Sequence, residues 1–328
     1  MCACQRESAS ARLNDEDDED EGAAVMLKDT MLYLARQESI RQFVIHNAAA
    51  RKMARRFVAG ETLDDAITVA HALNGERISV SLDHLGENVS DTHEAEATAA
   101  GYIQILDRIA TEGAEANISV KLTALGLDID YDLCRDNLTR VLCRARDLGI
   151  FVRVDMEGSD YTQRTLDLVT ALHPDFPNIG TVIQSCLYRT PKDAELLISN
   201  GIRVRLLKGA YLEPETLAYP KKADVDAAYL LILYELLERG TYPAIATHDE
   251  SIISDTIHFV QAHDIPRARF EFQMLYGIRR DLQERLAGEG YNVRVYVPYG
   301  SQWYPYLTRR MAERPANLMF VASNAFRG

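Results

Sequence analysis

The chain lacks the segments that would take it into or across a membrane. No apolar run among its 328 residues approaches the roughly 20 that span a bilayer. The N-terminus has no basic stretch followed by an apolar one, the order found in signal peptides. No Cys-x-x-Cys pair occurs, so we expect a cytoplasmic protein with reduced thiols and no metal site. The five cysteines are Cys2, Cys4, Cys134, Cys143 and Cys186.

Basic charge is also scarce. The sequence has 36 Lys and Arg residues against 49 Asp and Glu residues, which gives a net charge of −13. Because a nucleic-acid-binding protein needs clustered basic side chains to contact phosphates, we expect no nucleic-acid partner. Seven of the acidic residues are consecutive, from Asp15 to Glu21. Like charges in a block repel one another, and we predict that residues 1–24 form a disordered acidic tail.

Apolar residues at helical spacing follow the tail. They begin between Met26 and Leu34, and no strand-like run interrupts them. Thr62 and the acidic residues after it are typical of a helix N-cap and first turn, and this helix should end near Gly75. We therefore predict that residues 25–75 form an N-terminal helical arm.

From residue 76 onward, short β-rich runs alternate with longer stretches of helical pattern. The eight runs are Ile78–Leu82, Ile118–Leu122, Val152–Met156, Thr181–Gln184, Val204–Leu207, Ala244–Thr247, Phe270–Gln273 and Val293–Val297. The helical stretches fall at about 92–111, 131–148, 161–172, 191–200, 222–239, 251–263, 276–287 and 302–314. This pattern over residues 76–328 predicts an α/β fold, a (β/α)8 TIM barrel, which typically needs about 250 residues. A doubly wound open sheet is the alternative, but no Gly-x-Gly-x-x-Gly follows the first run.

The predicted strands end in polar residues. Side chains two apart on a strand share a face, so the polar residues point into the barrel if their apolar neighbours pack against the helices. The inward residues are then Lys121, Asp155, Arg205, Glu271 and Tyr296. These groups either neutralise one another in a polar interior or form a site for a charged ligand. Barrel enzymes place their chemistry at the C-terminal ends of the strands, which favours the site.

Two neighbouring strand ends suit a phosphate. Lys208 supplies a positive charge, and Gly209 lets the backbone approach a ligand closely. Thr247 and His248 add a hydroxyl and an imidazole at the next strand end. Together the two segments could hold a cofactor that carries a pyrophosphate.

A third cluster lies near the C-terminus. Tyr306 precedes Arg309 and Arg310 by three and four residues, and Glu313 follows one turn later. On a helix these residues share a face. Two guanidiniums and a phenol can clamp a carboxylate. The simpler interpretation is a solvated face whose ion pair contributes little to stability.

The polar segments, taken together, resemble the proline dehydrogenases. The matching segments are Ser119–Gly126 (SVKLTALG), Asp155–Glu157 (DME), Val182–Gln184 (VIQ), Arg205–Tyr211 (RLLKGAY), Ala246–His248 (ATH), Glu271–Gly277 (EFQMLYG) and Tyr306–Arg310 (YLTRR). The resemblance covers Ile78 to Phe320 and also fits the helical arm. It implies a distorted (β/α)8 barrel that binds FAD and oxidises L-proline to Δ1-pyrroline-5-carboxylate.

The resemblance also implies roles for individual residues. Asp155 and Arg205 match active-site groups, with Arg205 beside flavin N5, where hydride from the ring carbon next to the amine would arrive. The substrate-binding positions are Lys121, Tyr211, Leu275, Tyr296, Tyr306, Arg309 and Arg310, of which Lys121 and the two arginines would pair with the carboxylate. The cofactor-binding positions are Met156, Gln184, Arg205, Lys208, Gly209, Ala210, Thr247 and His248.

Partners follow from the same resemblance. The resemblance implies that electrons pass to a quinone. Because the sequence has no apolar run long enough to span a bilayer, contact with the inner face of a membrane would be peripheral. Leu212 and Asp249 stand where large bifunctional relatives carry Trp and Asn, and 328 residues leave no room for their aldehyde dehydrogenase domain. A separate pyrroline-5-carboxylate dehydrogenase would then act downstream. Tyr306 favours proline, because relatives that prefer hydroxyproline have a small residue there.

Two other functions compete with this one. In the first, Lys121 or Lys208 is a Schiff-base nucleophile in an aldolase-like barrel. In the second, the barrel is a scaffold and the acidic tail is a docking arm. A yellow protein whose absorption bleaches with proline would favour the dehydrogenase over both.

Overall fold

The computed structural model describes residues 54–86, 89–209, 211 and 213–312, with backbone alone for 309–312. The described residues fall into two compact units. One unit comprises residues 58–301, and the other contains residues 54–57 and 302–312. The acidic tail and residues 25–53 of the helical arm lie outside the described residues. Their structure and the domain boundary at residue 76 therefore stay predictions.

Eight parallel strands close into a barrel. Each strand pairs with the next along the chain, and β8 pairs with β1, for example Val295 beside Val80. The strands are β1 (Ser79–His84), β2 (Ala116–Val120), β3 (Val152–Val154), β4 (Ile179–Gln184), β5 (Arg203–Leu207), β6 (Ala244–Ala246), β7 (Glu271–Leu275) and β8 (Val293–Tyr299). The predicted (β/α)8 barrel is confirmed, since every predicted run overlaps an observed strand. Closure by the β1–β8 pair excludes the open sheet.

Helices alternate with the strands along the chain. They are α1 (Leu63–Gly75), α2 (Thr92–Glu112), α3 (Tyr131–Asp147), α4 (Ser159–Leu172), α5 (Thr190–Ser199), α6 (Lys222–Arg239), α7 (Glu250–Ala262), α8 (Arg280–Gly288) and α9 (Trp303–Ala312). Helix α1 begins as predicted, with Thr62 and Asp65 forming a reciprocal capping box. The prediction for α8 was wrong at its start. Gly277 and Arg279 have left-handed backbone conformations, which prevent a helix from beginning at residue 276.

Alternation along the strands divides their side chains into two sets. Val120, Val154 and Phe272 are buried in the apolar layer between strands and helices. Asp155, Arg205 and Glu271, each next to an apolar residue of a strand, are also buried. They form hydrogen bonds with groups from other strands. The apolar set supplies the hydrophobic stabilisation. The polar side chains therefore lie in the barrel interior, on strands that this packing keeps rigid.

An arginine fills the part of the barrel interior next to β4. Arg153 on β3 is only 1% exposed. Its Nη1 donates hydrogen bonds to the carbonyl oxygens of Thr181 (2.9 Å) and Arg203 (2.7 Å), and its guanidinium lies 4.8 Å from the Phe151 ring centroid. Gly180 makes room for this packing. A Cβ there would meet the Arg203 carbonyl oxygen, the Phe151 ring at 2.6 Å and Arg153 Nη1 at 3.0 Å.

The remaining sequence expectations concern membranes and metals. In the part of the chain that the structure describes, no helix is long and apolar enough to cross a membrane. Within those same ranges, no group of three or more His, Cys, Asp or Glu side chains could hold a metal ion. Cys134, Cys143 and Cys186 are free thiols.

Gly180→Ala should destabilise the protein by about 1–3 kcal/mol, the usual cost of overpacking a core. The added methyl group would displace main chain and Phe151 rather than a flexible side-chain end. Gly101→Ala, in helix α2 with nothing within 4 Å of its built Cβ, is the matched control. It should stabilise the protein by about 0.5–1 kcal/mol. Urea denaturation of both variants measures the difference, and equal midpoints would contradict this account of the interior.

Candidate active site

Three predicted residues meet at the centre of the barrel. Arg205 Nη1 donates a hydrogen bond of 2.7 Å to Asp155 Oδ1. Tyr296 donates its hydroxyl hydrogen to Asp155 Oδ2 over 2.8 Å, and the Arg205 guanidinium lies 5.3 Å from the Tyr296 ring centroid. Burial, reinforced by the nearby carboxylate of Asp155, raises the pKa of Tyr296 well above its ordinary value. The phenol therefore stays protonated and acts as a donor.

Further bonds fix the guanidinium of Arg205. Its Nε donates to Gln273 Oε1 at 2.5 Å, and its Nη2 donates to the hydroxyl oxygen of Ser119 at 3.2 Å and to that of Ser81 at 3.5 Å. Partners on β1, β2 and β7, and Asp155 just after β3, thus surround a group on β5. Because the Arg205 guanidinium is bonded to residues from so many strands, it cannot reorient without moving those strands. Its positive charge is therefore preorganised.

Lys121 forms a second buried ion pair. Its Nζ lies 2.8 Å from Asp83 Oδ1, and the two side chains are 9% and 1% exposed. Burial raises the pKa of Asp83, Lys121 opposes that rise, and Asp155 adds to it. Sequence reasoning missed Asp83 because the first strand was predicted to end at Leu82. The alternation of Val80 and Leu82 with Asp83 was the available signal.

Glu271 points inward as predicted but is already paired within the interior. Arg294 Nε lies 3.1 Å from both carboxylate oxygens of Glu271, and Gln273 donates to one of them at 2.5 Å. Although burial opposes ionisation, Arg294 lowers the pKa of Glu271. Arg294 was not among the predicted inward residues. For this pair, the simpler interpretation of mutual neutralisation fits the contacts.

The predicted cofactor-binding residues lie on neighbouring strand ends. Gln184 ends β4 and donates from Nε2 to the carbonyl oxygen of Glu157 at 3.2 Å. Met156, just after β3, is buried. Gly209 has φ +148°, and a Cβ there would collide with Cys186 Sγ, so a side chain at this position would push the β4 and β5 ends apart.

Lys208 bridges two carboxylates. Its Nζ lies 2.5 Å from Asp226 Oδ1 and 2.9 Å from Asp249 Oδ2. The amine of Lys222 also contacts Asp226. Burial raises the pKa of Asp249, but hydrogen bonds from Lys208 and Ser251 outweigh it and lower that pKa overall. An anion that approaches Lys208 would therefore share its ammonium with carboxylates, a feature that the Lys-Gly motif alone did not reveal.

The end of β6 is joined to the end of β7. His248 Nε2 accepts a hydrogen bond of 2.9 Å from the main-chain N–H of Leu275. Thr247 is buried, and its hydroxyl oxygen accepts from the N–H of Asp249 at 3.1 Å. A predicted cofactor residue thus directly contacts a predicted substrate residue.

The loop after β5 is anchored to helix α4. Glu213 accepts from the N–H of Ser159 at 2.8 Å and also contacts its hydroxyl. Since the N-cap residue Gly158 offers no side chain, Glu213 satisfies the exposed N-terminus of α4. Tyr211, predicted to contact substrate, lies in this loop and is half-buried. Ala210 and Leu212 lie outside the described residues.

The C-terminal cluster falls on helix α9. Tyr306 and the backbones of Arg309 and Arg310 belong to this helix, so the three residues share a side of it as predicted. The side chains of the two arginines lie outside the described part of the chain, as does Glu313. Their proposed contact with a carboxylate therefore stays a prediction.

Comparison with known proteins decides the family. Residues 66–323 match the family described as proline dehydrogenase. "Proline dehydrogenase 2" of Bacillus subtilis (strain 168) is 40% identical over 304 residues, which cover 93% of this chain and 99% of that protein. "Proline dehydrogenase" of Deinococcus radiodurans is 42% identical over 292 residues, covering 87% and 94%. The chain belongs to the proline dehydrogenase family. It is therefore an oxidoreductase, and the resemblance inferred from its motifs is confirmed.

A solved structure supports the same relationship. The crystal structure of proline utilization A (PutA) from Bdellovibrio bacteriovorus inactivated by N-propargylglycine aligns with a TM-score of 0.75 at 29% identity. The alignment covers 80% of this chain and 32% of that protein. The chain thus corresponds to about a third of PutA and to nearly the full length of the single proline dehydrogenases.

Glu271→Gln should lower the free energy of unfolding by about 3 kcal/mol at pH 7, because it leaves Arg294 buried beside a neutral amide. The lowered pKa of Glu271 means that its contribution is present above its ordinary value of 4.5 and is lost as the pH falls through its folded-state value. The variant should therefore lose less stability than the wild type between pH 5 and about pH 3.

Glu195→Gln is the control for this prediction. Glu195 pairs with Arg239 on the exposed surface, where both side chains are about half exposed, so its loss should change the free energy of unfolding far less than loss of Glu271. Denaturant titrations at several pH values measure both variants. Parallel acid curves for the Glu271→Gln and wild-type proteins would show that the Glu271–Arg294 pair does not contribute as described.

Proposed function

We propose that this chain oxidises L-proline to Δ1-pyrroline-5-carboxylate with FAD as its cofactor, the first step of proline catabolism to glutamate. The observation that carries the proposal is the buried cluster of Asp155, Arg205 and Tyr296 beside the Lys121–Asp83 pair. Asp83, Lys121 and Asp155 lie at or just after the C-terminal ends of their strands, where barrel enzymes act. Arg205 and Tyr296 contact Asp155 from within β5 and β8. Proteins named for proline dehydrogenation share about 40% of the sequence.

The substrate side of the proposal rests on charge and shape. Proline carries a carboxylate and a small apolar ring. The ammonium of Lys121 is a suitable partner for the carboxylate, and Tyr296 and Leu275 offer surfaces for the ring. From the motif alone, Tyr211, Tyr306, Arg309 and Arg310 would complete the pocket, with Tyr306 selecting proline over its hydroxylated analogue.

The donor set fits FAD. The ring carbonyl groups and pyrophosphate of FAD are hydrogen-bond acceptors, and the ends of β4, β5 and β6 offer donors. Arg205 and Lys208 are cationic, while Gln184 and Thr247 are neutral donors. Gly209 permits close approach of main chain. The remaining cofactor contacts of the proposal are Met156, Ala210 and His248.

Each residue of the cluster has a separate role in the proposed reaction. When bound, FAD supplies an acceptor for the hydride that leaves the ring carbon next to the amine. Arg205, fixed by Asp155, Gln273 and two serines, would stabilise negative charge without reorganising. Asp155 and Tyr296 hold that guanidinium in place. Burial of all three keeps water away, which strengthens each electrostatic contact.

The aldolase-like alternative fits the contacts less well. A Schiff-base lysine must be a neutral amine when it attacks a carbonyl group. Lys121 lies against a buried carboxylate, and Lys208 lies between two carboxylates. In both arrangements the amine is held in an ion pair with a carboxylate and is not a free amine directed at a carbonyl group.

Electron transfer out of the enzyme completes the proposal. A quinone would reoxidise the flavin, and the enzyme would work in the cytoplasm with peripheral contact at the inner face of the membrane. A separate pyrroline-5-carboxylate dehydrogenase would consume the product. These partners rest on the family resemblance.

The direct test is a visible spectrum of the purified protein. We expect a yellow protein whose flavin absorption near about 450 nm bleaches when L-proline is added without oxygen, since flavin loses that band on reduction. D-Proline is the control and should bleach it far more slowly, because its carboxylate would face away from Lys121. A protein that stays colourless and inactive after FAD is added would refute the proposal.

Lys208→Met should weaken FAD binding by about tenfold to a hundredfold, the range expected for loss of one charge-assisted hydrogen bond. Lys222→Met is the matched control, because Lys222 contacts the same Asp226 but is 69% exposed. It should change the dissociation constant by less than about twofold. Quenching of FAD fluorescence by apoprotein measures both. Equal losses in the two variants would mean that Lys208 does not contact the cofactor.

A further inference from the structure

Asp83 has no role in the reaction described above, although it is buried and forms an ion pair with Lys121. It lies near the end of β1, is 1% exposed, and reaches Lys121 Nζ at 2.8 Å. Lys121 is itself buried. A buried ammonium without a counter-charge loses its proton far more easily than one in water. Lys121 therefore depends on a carboxylate within the barrel to remain charged.

A second carboxylate near Asp83, that of Asp155, is engaged by other groups. Asp155 uses Oδ1 to accept from Arg205 and Oδ2 to accept from Tyr296. Its charge is thus matched to the guanidinium of Arg205. Asp83 on β1 is matched in the same way to Lys121, which directly follows β2. Each acid has its own base.

We propose that Asp83 is a positioning residue that keeps Lys121 protonated and aimed at the carboxylate of the substrate. This inference rests on the proposed function, because it takes proline as the ligand of Lys121. Asp83 itself does not touch the reacting atoms. Its effect passes through the ammonium, whose charge and direction it sets.

The groups around Asp83 come from several elements. Lys121 from β2, Asp155 from the end of β3 and Tyr296 from β8 face it, and His84 adjoins it on β1. Burial lowers the pKa of His84, so that ring is neutral near pH 7. Burial raises the pKa values of Tyr102 and Tyr299. Neither phenol therefore ionises between pH 6 and pH 9, the range of the test below.

Loss of the Asp83 charge has two opposite consequences for binding. At low pH, where Lys121 keeps its proton, the site gains a net positive charge, and a carboxylate ligand should bind at least as tightly as in the wild type. At high pH, Lys121 is neutral in the free protein, and the ligand must recruit a proton as it binds. Affinity should then fall by about tenfold per pH unit, as for any binding linked to one proton.

The experiment uses flavin-loaded Asp83→Asn and wild-type proteins with tetrahydrofuran-2-carboxylate. This probe has the ring and carboxylate of proline, but an oxygen replaces the amine, so the probe does not titrate between pH 6 and pH 9. Isothermal titration calorimetry from pH 6 to pH 9, in two buffers of different ionisation enthalpy, gives the dissociation constant and the number of protons taken up.

We expect a flat profile without proton uptake for the wild type above pH 7. Asp83→Asn should bind equally or more tightly at pH 6 and more weakly at pH 9, with uptake approaching one proton. Asp193→Asn is the control, since Asp193 is a buried carboxylate of helix α5 whose ion-pair partner is Arg189 and not Lys121. It should lower stability and leave the profile flat.

Two results would overturn the inference. One is an Asp83→Asn profile parallel to that of the wild type, and the other is proton uptake that persists in the Asp83→Asn, Lys121→Met double variant. If Asp83→Asn does not fold, Asp83→Glu, which keeps the charge, must retain the flat profile, and a sloping one would overturn the inference. A wild type that neither binds the probe nor bleaches with proline would instead refute the proposed function.

Discussion

Charge balance inside the barrel is the constraint on which the site depends. Ionised groups removed from water are costly unless each is paired and hydrogen-bonded. Asp155 with Arg205, Asp83 with Lys121 and Glu271 with Arg294 meet this requirement across different strands. Because the two members of each pair come from different strands or strand ends, each pair forms only when those strands come together. Assembly of the site is therefore part of folding.

This arrangement explains why a barrel interior can be both polar and stable. The apolar faces of the strands, with Val120, Val154 and Phe272 among them, hold the helices and supply the hydrophobic term. The opposite faces are then available for chemistry. Arg153 shows the limit of this freedom, since it is satisfied by carbonyl oxygens and an aromatic face and fits only because residue 180 is glycine.

Much of the fold and part of the site could be predicted from sequence. Period-two alternation in short runs marked the eight strands, and the same alternation put Lys121, Asp155 and Arg205 inside. The ion-pair partners of these residues were harder to predict, because contacts between strands depend on strand register and tilt. Asp83 was missed because β1 was predicted to end at Leu82, two residues before its observed end. Asp226 was missed because it lies on a helix far from Lys208 in sequence. The start of α8 failed because left-handed backbone at Arg279, a residue type that seldom adopts it, leaves little trace in composition.

The contact between His248 and β7 has a consequence for what the site can accept. A main-chain N–H can only donate, so Nε2 of His248 must be the unprotonated nitrogen of the ring. The single ring proton then resides on Nδ1, and one tautomer is selected by the backbone itself. A second proton on Nε2 would break the link to Leu275. Any group that meets the far edge of this imidazole must therefore offer a lone pair, as a phosphate or a ring carbonyl does and an ammonium does not.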